Sequence, residues 1–125
     1  MNTSGAQRRN VRPSQSRLRR FVFTLNNPTD QEIEDLRNLT NVTWLILGRE
    51  KGEEGTPHIQ GACCLSKQMA FATLKKTAGL VRAHIEVMQG TPLQSKVYCS
   101  KDGDFEEIGE LPKPGMYFFK CWSFF

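Results

Sequence analysis

At 125 residues, 38% apolar and 24% charged, the chain has room for one small α+β domain with a modest core and none for a second catalytic domain. No apolar run of roughly 20 residues spans a bilayer, and the Arg-rich amino end lacks the apolar stretch of a secretory signal, so an intracellular protein without a membrane partner is expected. The net charge of +4 is unevenly placed: the first twenty residues carry six arginines and no acid, which leaves −2 on the other 105.

Residues 1–19 therefore read as a basic disordered arm. Arg8, Arg9, Arg12, Arg17, Arg19 and Arg20, set among Ser and Gln, suit a nuclear import signal or a phosphate-contacting tail; a solubilising tail without a partner is the alternative. From Arg20 to Asn26, Phe21, Phe23 and Leu25 alternate with Val22, Thr24 and Asn26, the pattern of a half-buried strand. Pro28 stops it. Thr29 and Glu32 form a capping box for a helix reaching about Leu39, with Ile33, Leu36 and Leu39 as its apolar stripe.

Trp44 to Gly48 is nearly all apolar and reads as a central strand that ends at Glu50, before a turn-rich connection over residues 51–57. A third strand runs from His58 to Leu65, with Ile59, Gly61, Cys63 and Leu65 on one face and His58, Gln60, Ala62 and Cys64 on the other. Phe71, Leu74 and Ala78 keep helical spacing up to a stop at Gly79, and Ala83 to Val87 is a fourth strand with Ile85 inward. Thr91 and Gln94 make a second capping box, with Pro92 at the first helical position. On that helix Leu93 and Val97 share one face, while Gln94, Tyr98 and Lys101 follow a polar neighbouring face, so Tyr98 points away from the core.

Strand, helix, strand, strand, helix, strand is the βαββαβ order of a ferredoxin-like or RRM-like sandwich: α+β, an antiparallel sheet of about five strands with helices on one face. Thr24, Asn26, His58, Gln60, His84 and Glu86 then project from the uncovered face as a polar platform.

That platform carries chemistry. Pairing of the second and third strands returns Glu50 to His58, and with Gln60 this offers one imidazole nitrogen and two oxygens, a donor set for Mg²⁺ or Mn²⁺ rather than structural zinc. Such an ion polarises a phosphate that Tyr98 attacks, with the Lys101 ammonium one turn away to stabilise phenolate or the growing phosphate charge. His84-Ile85-Glu86 is a second His-x-acid pair that serves equally well on spacing alone. Cys63, Cys64, Cys99 and Cys121 form no zinc spacing and read as reduced, packed thiols; Cys99, beside Tyr98, has no apparent base.

Phe23-Thr24-Leu25-Asn26-Asn27-Pro28, Pro57-His58-Ile59-Gln60-Gly61 and Tyr98-Cys99-Ser100-Lys101 stand in the order and spacing of three motifs of circovirus-type replication initiators. Gly48-Arg49-Glu50-Lys51-Gly52 and Ala83-His84-Ile85-Glu86 extend the match, so residues 20–109 resemble the HUH endonuclease domain of circular single-stranded DNA viruses. The resemblance implies Glu50, His58 and Gln60 as metal ligands and Tyr98 as nucleophile. It implies DNA binding and fold integrity for Phe23, Thr24, Leu25, Asn26 and Asn27, and DNA contact for His84 and Glu86, in a segment not assigned as metal ligands. It further implies nicking of single-stranded DNA at an origin stem-loop, a 5′-phosphotyrosine link, a free 3′-hydroxyl for rolling-circle replication, rejoining by the reverse transfer, and work in the host nucleus.

Two departures follow. The chain has no G-x-x-x-x-G-K-[ST] loop, so no ATP-driven helicase is expected within it. Residues 110–125 read as a Pro-rich linker and an aromatic tail, where Tyr117, Phe118, Phe119, Trp122, Phe124 and Phe125 are unlike the family and suit a truncated or spliced product. Self-association through the tail and pairing with a full-length replication protein are further expectations. The alternatives are a short form that binds DNA with weak or no nicking, and a non-catalytic RNA-recognition module, against which the third strand's lack of aromatics argues.

Overall fold

Alternating apolar side chains over Arg17–Asn26 form strand β1, with Leu18, Phe21, Phe23 and Leu25 buried on one side. The computed structural model describes residues 17–113; Arg8, Arg9, Arg12, Cys121 and the aromatic tail lie outside them. The elements that follow are α1 (Asp30–Arg37), β2 (Val42–Lys51), β3 (Pro57–Ala70), α2 (Phe71–Lys75), β4 (His84–Val87), α3 (Pro92–Cys99) and β5 (Phe105–Gly109). The strands make one antiparallel sheet in the order β4-β1-β3-β2-β5. The α+β sandwich and the five-stranded antiparallel sheet expected from the sequence are both present.

The helices are divided between the faces rather than gathered on one. Leu36 of α1 and Leu74 of α2 join Phe21, Phe23, Leu45, Leu47, Ile59 and Ile85 in the larger core cluster. Cys99 of α3 joins Trp44, Ile46, Ala62, Cys64 and Met88 in a second cluster on the reverse face. The physical reason is that β2 and β3 are apolar on both sides at their centres, and an uncovered Trp44 or Ile46 would sit in water.

Several boundaries move. Arg17 and Arg19, assigned by composition to the arm, already lie in β1, because β3 continues past Leu65 and pairs Met69 and Ala70 with Leu18 and Arg17 around a bulge. Helix α1 ends at Arg37 instead of near Leu39, and α2 ends at Lys75, so exposed Ala78 is not helical and Gly79 (φ +94°) belongs to the turn that follows. Ala70 supplies no side-chain cap to α2, which leaves its first turn without an anchor.

The turn from β1 into α1 is fixed from three sides. Asn27 adopts a left-handed φ of +49°, which asparagine tolerates better than most side chains, and its N–H donates to Pro57 O at 2.8 Å. The Thr29–Glu32 capping box forms as the sequence predicts, and Arg82 donates to both Glu32 carboxylate oxygens and to the Asn26 and Asn27 carbonyls. The hydrogen bond from Arg82 holds the Glu32 carboxyl down at about 2, and one from Arg37 does the same for Glu106.

Both carboxyls fall from 4.5 to about 2 on folding, so their stabilising contribution is complete above pH 4.5 and is lost as the pH falls toward 2. The midpoint of urea unfolding should be flat above that window and decline within it. Glu32→Gln should make the decline shallower, and an unchanged acid limb would contradict the assignment.

Candidate catalytic site on the third-helix face

The strand register brings the candidate residues together. Glu50 of β2 and His58 of β3 are direct cross-strand partners, His58 also pairs with Asn26, and Gln60 pairs with Thr24 on one side and Gly48 on the other. Alternation puts Glu50, His58, Gln60, Thr24, Asn26, His84 and Glu86 on the face that carries α3. The polar platform read from the sequence is therefore real, and the nucleophile candidate sits above it.

His58 Nε2 lies 3.1 Å from Glu50 Oε1, and because a carboxylate only accepts, the imidazole donates. Lys101 Nζ donates to Glu50 Oε2 and lies 4.1 Å from the centroid of the Tyr98 ring. Thr24 Oγ1 donates to Gln60 Oε1 at 3.2 Å, and Gln60 lines a cleft of about 220 Å³ with Val22, Gln89, Gln94, Ser95, Tyr98 and Cys99. One neighbourhood thus holds Glu50, His58, Gln60, Tyr98 and Lys101, drawn from two strands and the end of a helix. Tyr98 is 53% exposed and open to a polymer approaching from solvent.

Burial pushes the Glu50 carboxyl up, but hydrogen bonds and charge from Lys101 and His58 outweigh it and leave the group below its ordinary value. Burial lowers the Lys101 ammonium, and Glu50 more than restores it, so it is raised overall. Burial lifts the Cys99 thiol to about 11, with the Glu50 charge adding to the effect. Cys99 is therefore an inert packed thiol, as are buried Cys63 and Cys64, both also raised by burial.

Among the described residues no group of three or more His, Cys, Asp or Glu side chains forms a metal cage. Glu50 and His58 supply two such ligands and Gln60 an amide oxygen. The donor set fits a hard divalent cation.

Two parts of the sequence reading change. Phe23 and Leu25, grouped with DNA contacts, are buried in the larger core at 1% and 0% exposure, so they hold β1 in place, while Thr24 and Asn26 face the platform. On α3 the apolar pair Leu93 and Val97 is exposed, and the buried side chains are Pro92, Ser95 and Cys99. His84 and Glu86 pair with each other at 2.8 Å in solvent on edge strand β4, with β1 between them and the strand of His58.

Three contributors escape the sequence reading. Glu107 of β5 accepts from Trp44 Nε1 at 2.8 Å and pairs with Lys96 of α3 at 3.1 Å, so it ties the helix to the sheet edge. Gly61 leaves room for the Phe23 ring opposite it, which would meet an added Cβ at 2.3 Å. Gly48 lets α3 come down onto β2, since a Cβ there would sit 1.9 Å from the Cys99 carbonyl oxygen. Gly48→Ala should cost about 1–3 kcal/mol by overpacking and depress activity further by lifting the turn that carries Tyr98 and Lys101. Urea midpoints beside a cleavage assay would show it, and a fully active, fully stable Gly48→Ala chain would contradict the packing.

A family model of viral replication proteins matches residues 18–102. The replication-associated protein of Beak and feather disease virus is 48% identical over 91 residues, covering 71% of this chain and 31% of the relative. That of Pigeon circovirus is 38% identical over 115 residues, covering 89% and 36%, and that of Porcine circovirus 2 is 40% identical over 100, covering 78% and 32%. The chain spans about a third of the length of these relatives.

Proposed function

The chain belongs to the viral replication protein family, and from that premise we propose that it is the strand-cutting unit of a rolling-circle replication initiator. Its substrate is single-stranded DNA exposed at an origin stem-loop. Tyr98 Oη attacks the scissile phosphorus, the bond to the 3′ oxygen breaks, the phenol gives up its proton and the leaving 3′ oxygen acquires one. The products are a 5′-phosphotyrosine and a free 3′-hydroxyl. One phosphodiester is exchanged for another, so a returning 3′-hydroxyl reseals the strand without an external energy source.

Glu50, His58 and Gln60 would hold Mg²⁺ or Mn²⁺, which when bound supplies Lewis-acid polarisation of the phosphate. Thr24 keeps Gln60 turned toward the site. Lys101, above the Tyr98 ring, offsets negative charge as the phenol ionises. Thr24, Asn26, Asn27, His84 and Glu86 offer polar contacts to the strand, and the arginines of the arm offer phosphate contacts and entry to the host nucleus.

The observation that carries this reading is the Lys101 bridge: one side chain touches both the Tyr98 ring and the carboxylate partnered with His58, so nucleophile and ligand set share a face. A base-stacking RNA module is disfavoured because the outward residues at this end of β1 and β3 are Thr24, Asn26, His58 and Gln60, none aromatic.

The test is incubation with a labelled single-stranded origin oligonucleotide and Mn²⁺, followed by a denaturing gel and mass spectrometry of the adduct. A covalent band whose nucleotide sits on Tyr98 is expected. Cleavage with no protein-bound product, or an adduct on another side chain, would sink the proposal.

A further inference from the structure

Glu50 is largely buried, its side chain 11% exposed, and both of its oxygens are engaged, one by His58 and the other by Lys101. The carboxylate that the proposed function assigns to a divalent cation is thus already matched by a cation that belongs to the chain. A carboxylate this buried is costly without a countercharge, which is what Lys101 provides. Lys101 is also short-tethered. It stands three residues past Tyr98, its N–H donates to the Tyr98 carbonyl at 3.3 Å, and its ammonium already rests over the Tyr98 ring.

We propose that Lys101 is the resident counter-ion of the Glu50 site and competes with the divalent cation for the same carboxylate, an inference that rests on the metal reading above. Two cations repel each other across one carboxylate, so Lys101 leaves Glu50 when the site is loaded. Its tether then keeps the ammonium at Tyr98, where it faces the phenol and the incoming phosphate instead of the carboxylate. Lys101 acts here as a positioning residue: it holds the Glu50 carboxylate in place beforehand and is redirected to the nucleophile afterwards.

The experiment uses Mn²⁺ alone, without DNA, titrated into the full chain and followed by the loss of the free-ion EPR signal. Lys101→Met should bind Mn²⁺ more tightly by roughly 3- to 5-fold, the upper part of the range expected from removing one competing ion pair with an exposed lysine. Lys96→Met removes the same charge from the same helix, but its partner is Glu107, and it should leave affinity within about twofold. In the wild type, Mg²⁺ should shift the NMR signals of the Lys101 ε-methylene, which lie against the Tyr98 ring, and Glu50→Gln should remove that response. Equal affinity in wild type and Lys101→Met, or equal tightening in both lysine variants, would overturn the competition. Failure of the wild type and both lysine variants to bind Mn²⁺ would instead remove the metal reading, and this inference with it.

Discussion

Tyr98→Phe is expected to abolish both the covalent protein–DNA product and strand cleavage, by on the order of 10⁴-fold or more, the scale seen when a nucleophile is removed from a covalent mechanism. The substitution is clean for structural reasons. The Tyr98 hydroxyl makes no side-chain hydrogen bond among the described residues, the ring is half exposed, and its contact with Lys101 is to the ring face, which phenylalanine keeps. Circular dichroism and the unfolding midpoint should therefore match the wild type. Neighbouring groups are poor substitutes: Cys99 is buried with its thiol raised to about 11, and the Ser100 hydroxyl is committed to the Lys96 carbonyl at 2.7 Å. An adduct of normal yield in Tyr98→Phe would mean that another side chain attacks.

His58→Ala and His84→Ala separate two histidines that spacing alone leaves equivalent. If His58 holds the proposed cation, His58→Ala should reduce cleavage at least ~10²-fold, because Lewis-acid polarisation of a phosphate is worth several kcal/mol. His84→Ala should stay within about threefold, as expected for an exposed residue whose partner is a neighbouring carboxylate in water. Cleavage rates on one oligonucleotide, with Mn²⁺ titrated to saturation, decide it, and partial rescue of His58→Ala at high Mn²⁺ would identify its role as ligation. Equal losses in the two variants would mean that the edge strand also serves the chemistry.

Much of this site is legible in the sequence because it depends on local periodicities. Two-residue alternation puts His58 with Gln60 and opposes both to Ile59; a short glycine-bearing turn returns Glu50 to His58; the capping boxes at Thr29 and Thr91 start α1 and α3 where expected. The orientation of α3 was not legible. Leu93 and Val97 look like a seam, yet the helix seats on Pro92, Ser95 and Cys99, with the Cys99 carbonyl set down against Gly48, where no larger side chain fits. Burial by small atoms leaves no hydrophobic stripe to read. The short strand β5 is similarly quiet, since two of its five residues are glutamates whose role is to bind Arg37, Arg49, Trp44 and Lys96 across the chain.

Strand β1 enters at Arg17, opposite Ala70, and ends at Asn26, opposite His58. At about 3.3 Å per residue the two ends stand roughly 30 Å apart. On the proposed function, a single strand held by the first arginines of β1 and cut beside the imidazole would lie along that strand, so lengthening or shortening it would move the grip relative to the cut. The domain is in this sense a ruler, with its scale set by backbone pairing and its zero at the histidine.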